Sequence, residues 1–280
     1  MSGKRVLLHI GYPKTATTWF QKDLFPGIDN IKLFTNEKFV NNLKRADIAD
    51  REQIRNVINS VNEETIVISN ENILGSRNRV FSNPEYLAKI FPGAEIILFV
   101  RNQIDKYRSN YSQYIKQGGV LSPEAYLFSQ GQDLFGGEKH KYYRVVNLYR
   151  DYFGKENVHI FFFEEFLENN QRFMSDFVRK LKLNVPNRFI DNRRRNVKLS
   201  ASDIKTVRSF NRFCNKILPR FASNYLGAKQ QYIIDKVFTG QGMKFMYSKK
   251  TNECIANYFR GDNRMLSAEF KQVEKYNYPL

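Results

Sequence analysis

The densest group of chemically capable residues lies at positions 11–18, read as Gly11-Tyr12-Pro13-Lys14-Thr15-Ala16-Thr17-Thr18. An apolar run at 5–10 precedes it and reads as a strand. Ala16, Trp19, Phe20 and Leu24 follow on one helical face, so a helix is expected to open between positions 15 and 17. A strand that ends where a helix begins presents unpaired N–H groups and the positive end of a dipole. Lys14 adds a full charge there, and Thr15, Thr17 and Thr18 add hydroxyl donors. Gly11 permits a close turn and Pro13 stiffens it. The chemistry indicated is the binding of an anion, at the phosphate-rich end of a nucleotide. The Walker A pattern places a glycine directly before its lysine. Here Pro13 stands there, and the spacing from Gly11 to Lys14 is too short. No apolar strand ends in an Asp placed to hold magnesium. A nucleotide-dependent kinase of the P-loop class is thereby disfavoured and stays as an alternative.

Other strand ends carry further candidates. Arg101 follows the apolar run 95–100, and Ser109 comes eight residues later on the next helix, with Asp105 near that helix's start. A guanidinium fork with a hydroxyl suits a second phosphate. Asn70-Glu71-Asn72 follows the run 65–69, and a carboxylate there is expected to face the same crevice as Lys14 and to act as a general base. The chain has three histidines. His9 and His159 sit inside apolar strands and read as core, while His140 lies in a loop able to reach a substrate. Cys214 and Cys254 have no CxxC spacing, so neither a disulfide framework nor a zinc site is expected, and a reducing cytoplasm is the default. No metal is expected.

These residues need a scaffold, and the pattern of apolar runs supplies one. Runs 5–10, 65–69, 95–100 and 158–163 are short, consecutive in their apolar residues and rich in β-branched or aromatic side chains. Such runs suit a parallel sheet covered on both faces. A weaker strand is expected at 30–34. Helical faces separate them: Ile54, Val57, Ile58 and Val61; Tyr86, Leu87, Ile90 and Phe91 behind an Asn83 cap and Pro84; Tyr107, Tyr111 and Tyr114; Tyr142, Val145, Val146, Tyr149 and Phe153; and Phe173, Phe177, Val178 and Leu181. The alternation predicts an α/β fold, three layers α/β/α around a central parallel sheet. Strands stop beyond Pro186. Residues 1–200 are expected to form the core, with 201–280 a helical C-terminal extension packed on the same domain. The chain of 280 residues carries a formal net charge of +17, which implies an anionic partner: a charged nucleotide, a glycan, an acidic membrane surface or nucleic acid. The basic, aromatic stretch 205–236, with Arg208, Arg212, Lys216 and Arg220, keeps a non-enzymatic polyanion- or membrane-binding protein as a second alternative. No apolar run approaches the roughly 20 residues of a membrane span. Met1 runs almost directly into the first strand, so no signal peptide is expected.

Residues 13–21, Pro-Lys-Thr-Ala-Thr-Thr-Trp-Phe-Gln, resemble the PKTGTTWLQ phosphosulfate loop of the sulfotransferases that use 3′-phosphoadenosine 5′-phosphosulfate (PAPS). Ala16 is the one departure in the core motif, where glycine is usual. Ser69-Asn70-Glu71 resembles the Ser-Ser-Glu element of bacterial members. Arg101 and Ser109 resemble the family's 3′-phosphate site, with Gln103 where many members have proline. Residues 164–181 look like its structural YEDL…FLGL segment, and 192–200 like the basic loop that closes over the nucleotide. The resemblance covers residues 5–200 in order. It implies a P-loop-like sulfotransferase fold with PAPS as donor, PAP as product and no metal. Gly11, Pro13, Lys14, Thr15, Ala16, Thr17 and Thr18 would bind the 5′-phosphosulfate, Arg101 and Ser109 the 3′-phosphate, and Arg194, Arg195 and Asn196 the closing side. Lys14 would stabilise the leaving group, with Glu71 or Glu37 as base. The Lys-x-His context of phenol- and steroid-sulfating members is absent, which points to a saccharide or glycolipid acceptor. No nucleic acid partner is implied. The protein is expected in the cytoplasm, with peripheral contact to an anionic membrane surface as a further expectation.

Overall fold

A computed structural model describes residues 3–35, 39, 48–74, 79–129, 137–185, 199–217, 234, 237 and 242–280. Five strands form one parallel sheet: β1 (Arg5–His9), β2 (Ile31–Phe34), β3 (Thr65–Ser69), β4 (Glu95–Val100) and β5 (Val158–Phe162), in the order β2-β3-β1-β4-β5. Each matches an expected run to within one residue. β1 pairs with β3 in the register Arg5↔Thr65 to His9↔Ser69, and with β4 from Leu7↔Glu95. The chain leaves β1 towards one edge of the sheet, returns beside it as β3, then crosses to its other side as β4. The carboxyl end of β1 is therefore a topological switch point, where open α/β sheets leave a crevice for ligands.

The chain forms two compact units. The first comprises Met1–Arg101, Glu138–Arg194 and Asp262–Tyr276 and holds the whole sheet. After β1 a short helix α1 (Thr17–Trp19) runs on as a π-helical turn, Phe20–Leu24. The helices α2 (Ile48–Asn59) and α3 (Arg79–Ile90) follow β2 and β3. Later come α6 (Tyr142–Phe153), α7 (Phe163–Glu168) and α8 (Asn170–Lys180). The core on one sheet face is largely aromatic: Phe20, Phe99, Phe161, Phe173 and Phe177 pack with Leu7, Val67 and Ile97. Each such ring stabilises the fold by about 1.5–3 kcal/mol when fully buried.

The second unit comprises Asn102–Gly137, Arg195–Gly261 and Asn277–Leu280. It is built from α4 (Gln103–Lys116), α5 (Pro123–Phe128), α9 (Ala201–Ile217) and most of α10 (Lys249–Ser267). The tyrosine stripe of α4 splits between two clusters, Tyr107 with Leu127, Tyr247, Ile255 and Phe259, and Tyr111 with Ile115, Leu199, Ile204, Val207 and Ile234. Asn211 ties α9 to the end of α4, donating to the carbonyls of Ile115 and Gly119 at 2.8 Å each. A last short helix, α11 (Gln272–Lys275), belongs to the first unit.

Two local expectations change, and a third is filled in: Asp105 lies in the first turn of α4, as expected, beside a cap the sequence did not single out. Pro84 does not open a helix: α3 begins at Arg79 and carries Pro84 inside it. Half-buried Asn83 instead donates its side-chain amide to Ile73 O at 2.6 Å. Val57 points away from the face that buries Ile54 and Ile58. On α4 the cap is Asn102, whose side chain accepts from the N–H groups of Ile104 and Asp105. Asp105 pairs with Arg108 at 3.0 Å and Lys244 at 2.6 Å.

Candidate active site

Three of the strand ends singled out in the sequence are neighbours, because β3 and β4 flank β1. Residues 11–18 leave β1, Asn70 and Glu71 leave β3, and Arg101 leaves β4. Pairing continues past the strands: Ile10 N–H donates to Ile97 O at 3.1 Å, and Asn70 N–H to His9 O at 3.2 Å.

The loop is anchored at several points. Tyr12 is wholly buried, its ring 5.3 Å from that of His140 and 5.1 Å from that of Tyr142, and its hydroxyl donates to Lys139 O. Thr15 is equally buried, and its hydroxyl donates to Tyr12 O at 2.5 Å. The hydroxyl of Thr17 reaches the same carbonyl at 3.4 Å. Thr18 is exposed. Two residues adopt the left-handed conformation that L side chains disfavour, Lys14 at φ 71° and Ala16 at φ 63°. Gly11 is not among them. The close approach there favours glycine, since a Cβ would stand a tight 3.1 Å from His9 Nε2. Ala16 shares the left-handed strain with Lys14.

Arg101 is buried and does structural work in the loop. Its Nη1 donates to Lys14 O at 2.8 Å, fixing the carbonyl of a left-handed residue. Its guanidinium lies 4.8 Å from the Phe163 ring centre, and Tyr142 donates to Arg101 O at 2.7 Å. Burial, followed by the charge of Glu164, pushes the Tyr142 hydroxyl pKa well up, so it stays a donor. The structure thus joins Lys14 and Arg101 directly.

Glu71 is exposed on the turn after β3. Asn70 shapes that turn: its side chain accepts from Asn72 N–H at 2.8 Å, and its amide donates to Thr35 O at 3.4 Å. Ser109 is part-exposed on α4 in the second unit. Glu37, Arg194, Arg195 and Asn196, and residues 218–233 of the basic stretch, lie outside the described residues. His140 is not at a substrate-reaching surface: it is buried in a 3-10 turn, Glu138–His140, against Tyr12. His9 and His159 are buried, as their apolar strands imply. Among the described residues no group of His, Cys, Asp or Glu is placed to hold a metal ion, and no helix is long and apolar enough to cross a membrane.

Sequence reasoning passed over one cluster. His9 Nδ1 lies 2.7 Å from Ser69 Oγ, and the Gln21 amide donates to Ser69 O at 2.9 Å and Ser69 Oγ at 3.2 Å. The available signal was three polar residues beside the loop motif, two of them ending otherwise apolar strands.

No protein-family model matches the chain, and no curated protein matches it. Solved structures do. A sulfotransferase from Alicyclobacillus acidocaldarius aligns with a TM-score of 0.58 at 15% identity, over 95% of this chain and 95% of that one. The mouse sulfotransferase SULT7A1, solved in complex with PAP, aligns with a TM-score of 0.54 at 15% identity, over 100% of this chain and 90% of that one. The five-stranded parallel sheet and its helices therefore have the sulfotransferase fold.

Proposed function

We propose that the chain is a PAPS-dependent sulfotransferase, moving the sulfuryl group to a hydroxyl or amine of a saccharide or glycolipid. The observation that carries this reading is the Lys14 loop at the switch point of a sulfotransferase fold, held in shape by Arg101. Sulfuryl transfer is an in-line displacement helped mainly by positioning and by charge placed where charge develops. Lys14 and the main-chain N–H groups of residues 14–18 hold the 5′-phosphosulfate. Lys14 then stabilises the bridging oxygen as the sulfuryl group leaves. Arg101 keeps the loop in shape and, by its spacing from Ser109 in the sequence, is the proposed contact for the 3′-phosphate. Glu71 removes the acceptor proton. Its exposure supports a base that meets a solvent-borne acceptor. Residues 194–196 are proposed to close over the nucleotide, and residues 201–280 to serve as a helical extension of the PAPS-binding core.

The +17 charge also favours a peripheral contact with an anionic membrane surface, and α9 supports one. Phe210 and Phe213 are 55% and 62% exposed, among exposed Lys205, Arg212 and Lys216. Exposed rings set among cations are the makings of an interfacial helix. Replacing both phenylalanines with serine should weaken binding to phosphatidylserine vesicles; unchanged sedimentation with vesicles removes this contact.

The central test is a thermal shift with PAP, with AMP, and with ATP and magnesium. Selective stabilisation by PAP is expected. Equal or absent shifts reject the donor assignment.

A further inference from the structure

His9 is the last residue of β1, directly before the loop, and its side chain is wholly buried. The rings of Phe20, Phe25 and Phe99 surround it at centroid distances of 5.7, 5.7 and 5.4 Å. One edge meets Ser69 Oγ through Nδ1. That hydroxyl accepts from the Gln21 amide, so its own proton is free to be given to Nδ1, and the ring proton then resides on Nε2. Burial pushes the imidazole pKa down to about 3, so the ring is neutral at ordinary pH.

The opposite edge is unusual. Nε2 is buried and has no hydrogen-bond partner among the described residues. Native structures rarely leave such a group alone, because its lost hydration is not recovered. The edge faces the loop: a Cβ on Gly11 would stand 3.1 Å from His9 Nε2 and 3.5 Å from Thr17 Oγ1. The Thr17 hydroxyl is itself loosely held, 3.4 Å from Tyr12 O, whereas Thr15 takes the same carbonyl at 2.5 Å.

Resting on the reading of residues 11–18 as the donor cradle, we propose that His9 is a positioning residue for the bound nucleotide. The Thr17 hydroxyl turns from Tyr12 O to an anionic oxygen of the nucleotide, and His9 Nε2–H donates to the Thr17 oxygen from behind. A line of hydrogen bonds then runs from Gln21 through Ser69 and His9 to Thr17. Each hydroxyl accepts one bond and donates one, so no proton is transferred along it. The arrangement also explains Gly11, since a methyl group there would crowd the space between the imidazole and the hydroxyl. His9 is therefore no base, although it lies at the foot of the site.

The test uses the full chain with nitrogen-15-labelled histidine, whose three rings are separable by NMR. Without ligand, His9 should be neutral with its proton on Nε2. Saturation with PAP should move that proton downfield as it gains an acceptor. A proton on Nδ1, or an unmoved Nε2–H in protein that PAP demonstrably stabilises, overturns the role of His9 while leaving the cradle intact. Absence of any PAP binding removes the cradle and this inference together. Kinetics gives a second view. His9→Phe and Thr17→Val should each raise KM for PAPS about 10-fold with kcat little changed, and the double variant should be no worse than either alone. Independent, multiplying effects would reject the coupling. His9→Gln, which returns an amide N–H near the Nε2 position, should recover most of the loss. Should His9→Phe fold poorly, Ser69→Ala serves instead: it should release the tautomer and blunt the PAP-induced shift, and an unaltered spectrum counts against the proposal.

Discussion

The two ends of the sheet use their charges in opposite ways. At the amino end, Arg5, Glu95 and His159 pair off. Arg5 reaches both oxygens of Glu95, at 2.5 and 2.8 Å, and His159 Nε2 lies 2.9 Å from the second. Burial pulls the Glu95 pKa up, but hydrogen bonds from His159 and Arg5 outweigh it and hold the carboxyl at about 2. At the carboxyl end, Arg101 grips a main-chain carbonyl, two non-glycine residues sit in left-handed backbone, and His9 Nε2 is unpartnered among the described residues. One end is an internally satisfied clasp across β1, β4 and β5. The other holds strain and an unanswered polar atom. Proteins keep such tension where a ligand relieves it.

That contrast can be broken by mutation. Lys14→Ala should reduce sulfuryl transfer by about 10³-fold, the loss of a preorganised charge at the leaving group. Its melting temperature without ligand should hardly move, because the side chain is partly exposed and the backbone stays as it is. Assays of kcat alongside thermal melts check both halves. Glu71→Gln should cost about 10²-fold in kcat with PAP binding unchanged, as expected for a general base. If Glu37→Gln rather than Glu71→Gln abolishes turnover, the base moves to Glu37 and the donor cradle stands.

At the clasp the signs reverse. Glu95→Gln should lower stability by about 1–2 kcal/mol at neutral pH and leave KM for PAPS alone. A carboxyl whose folded pKa is depressed contributes its full stability above the ordinary value of 4.5 and loses it as pH falls towards about 2. Denaturant melts of the variant and parent should therefore converge across that window; a constant gap would show that Glu95 acts through packing. The smallest effect is expected at Ala16. Ala16→Gly relieves a left-handed alanine at the cost of a freer unfolded chain, for a net gain of about 0.5–1 kcal/mol. A loss of stability there would mean that the alanine methyl contributes packing that outweighs the strain.

Much of this was legible in the residues. Consecutive apolar runs marked four of the strands, because strands buried on both faces leave no room for polar alternation; β2, with Lys32 exposed, gave only a weaker signal. The loop, Arg101 and Glu71 were found because each follows such a run. Their adjacency was not readable: strand order is set by long-range pairing, and no local pattern states that β3 and β4 flank β1. Ala16 showed as a departure from a motif, but only its φ reveals why glycine is usual there. Arg101 read as a phosphate ligand, while its bond to Lys14 O depends on a distant segment. His9 read as core, which holds for its burial and hides its Nε2. Pro84 misled because a proline after Asn imitates a helix start, and the tie from Asn83 to Ile73 was invisible in sequence.

The bond from Arg101 to the Lys14 carbonyl spans 87 residues of chain. Consecutive strands β1 and β2 do not pair, and the pairing partners of β1, β3 and β4, both come later in the chain. The Lys14 turn therefore lacks this support on a growing chain until Arg101 has left the ribosome, however well its own sequence favours it. Nucleotide binding at the proposed cradle would then report on completed topology. PAP added during refolding should capture only chains whose central three strands have already met, and should leave the earlier collapse unaccelerated.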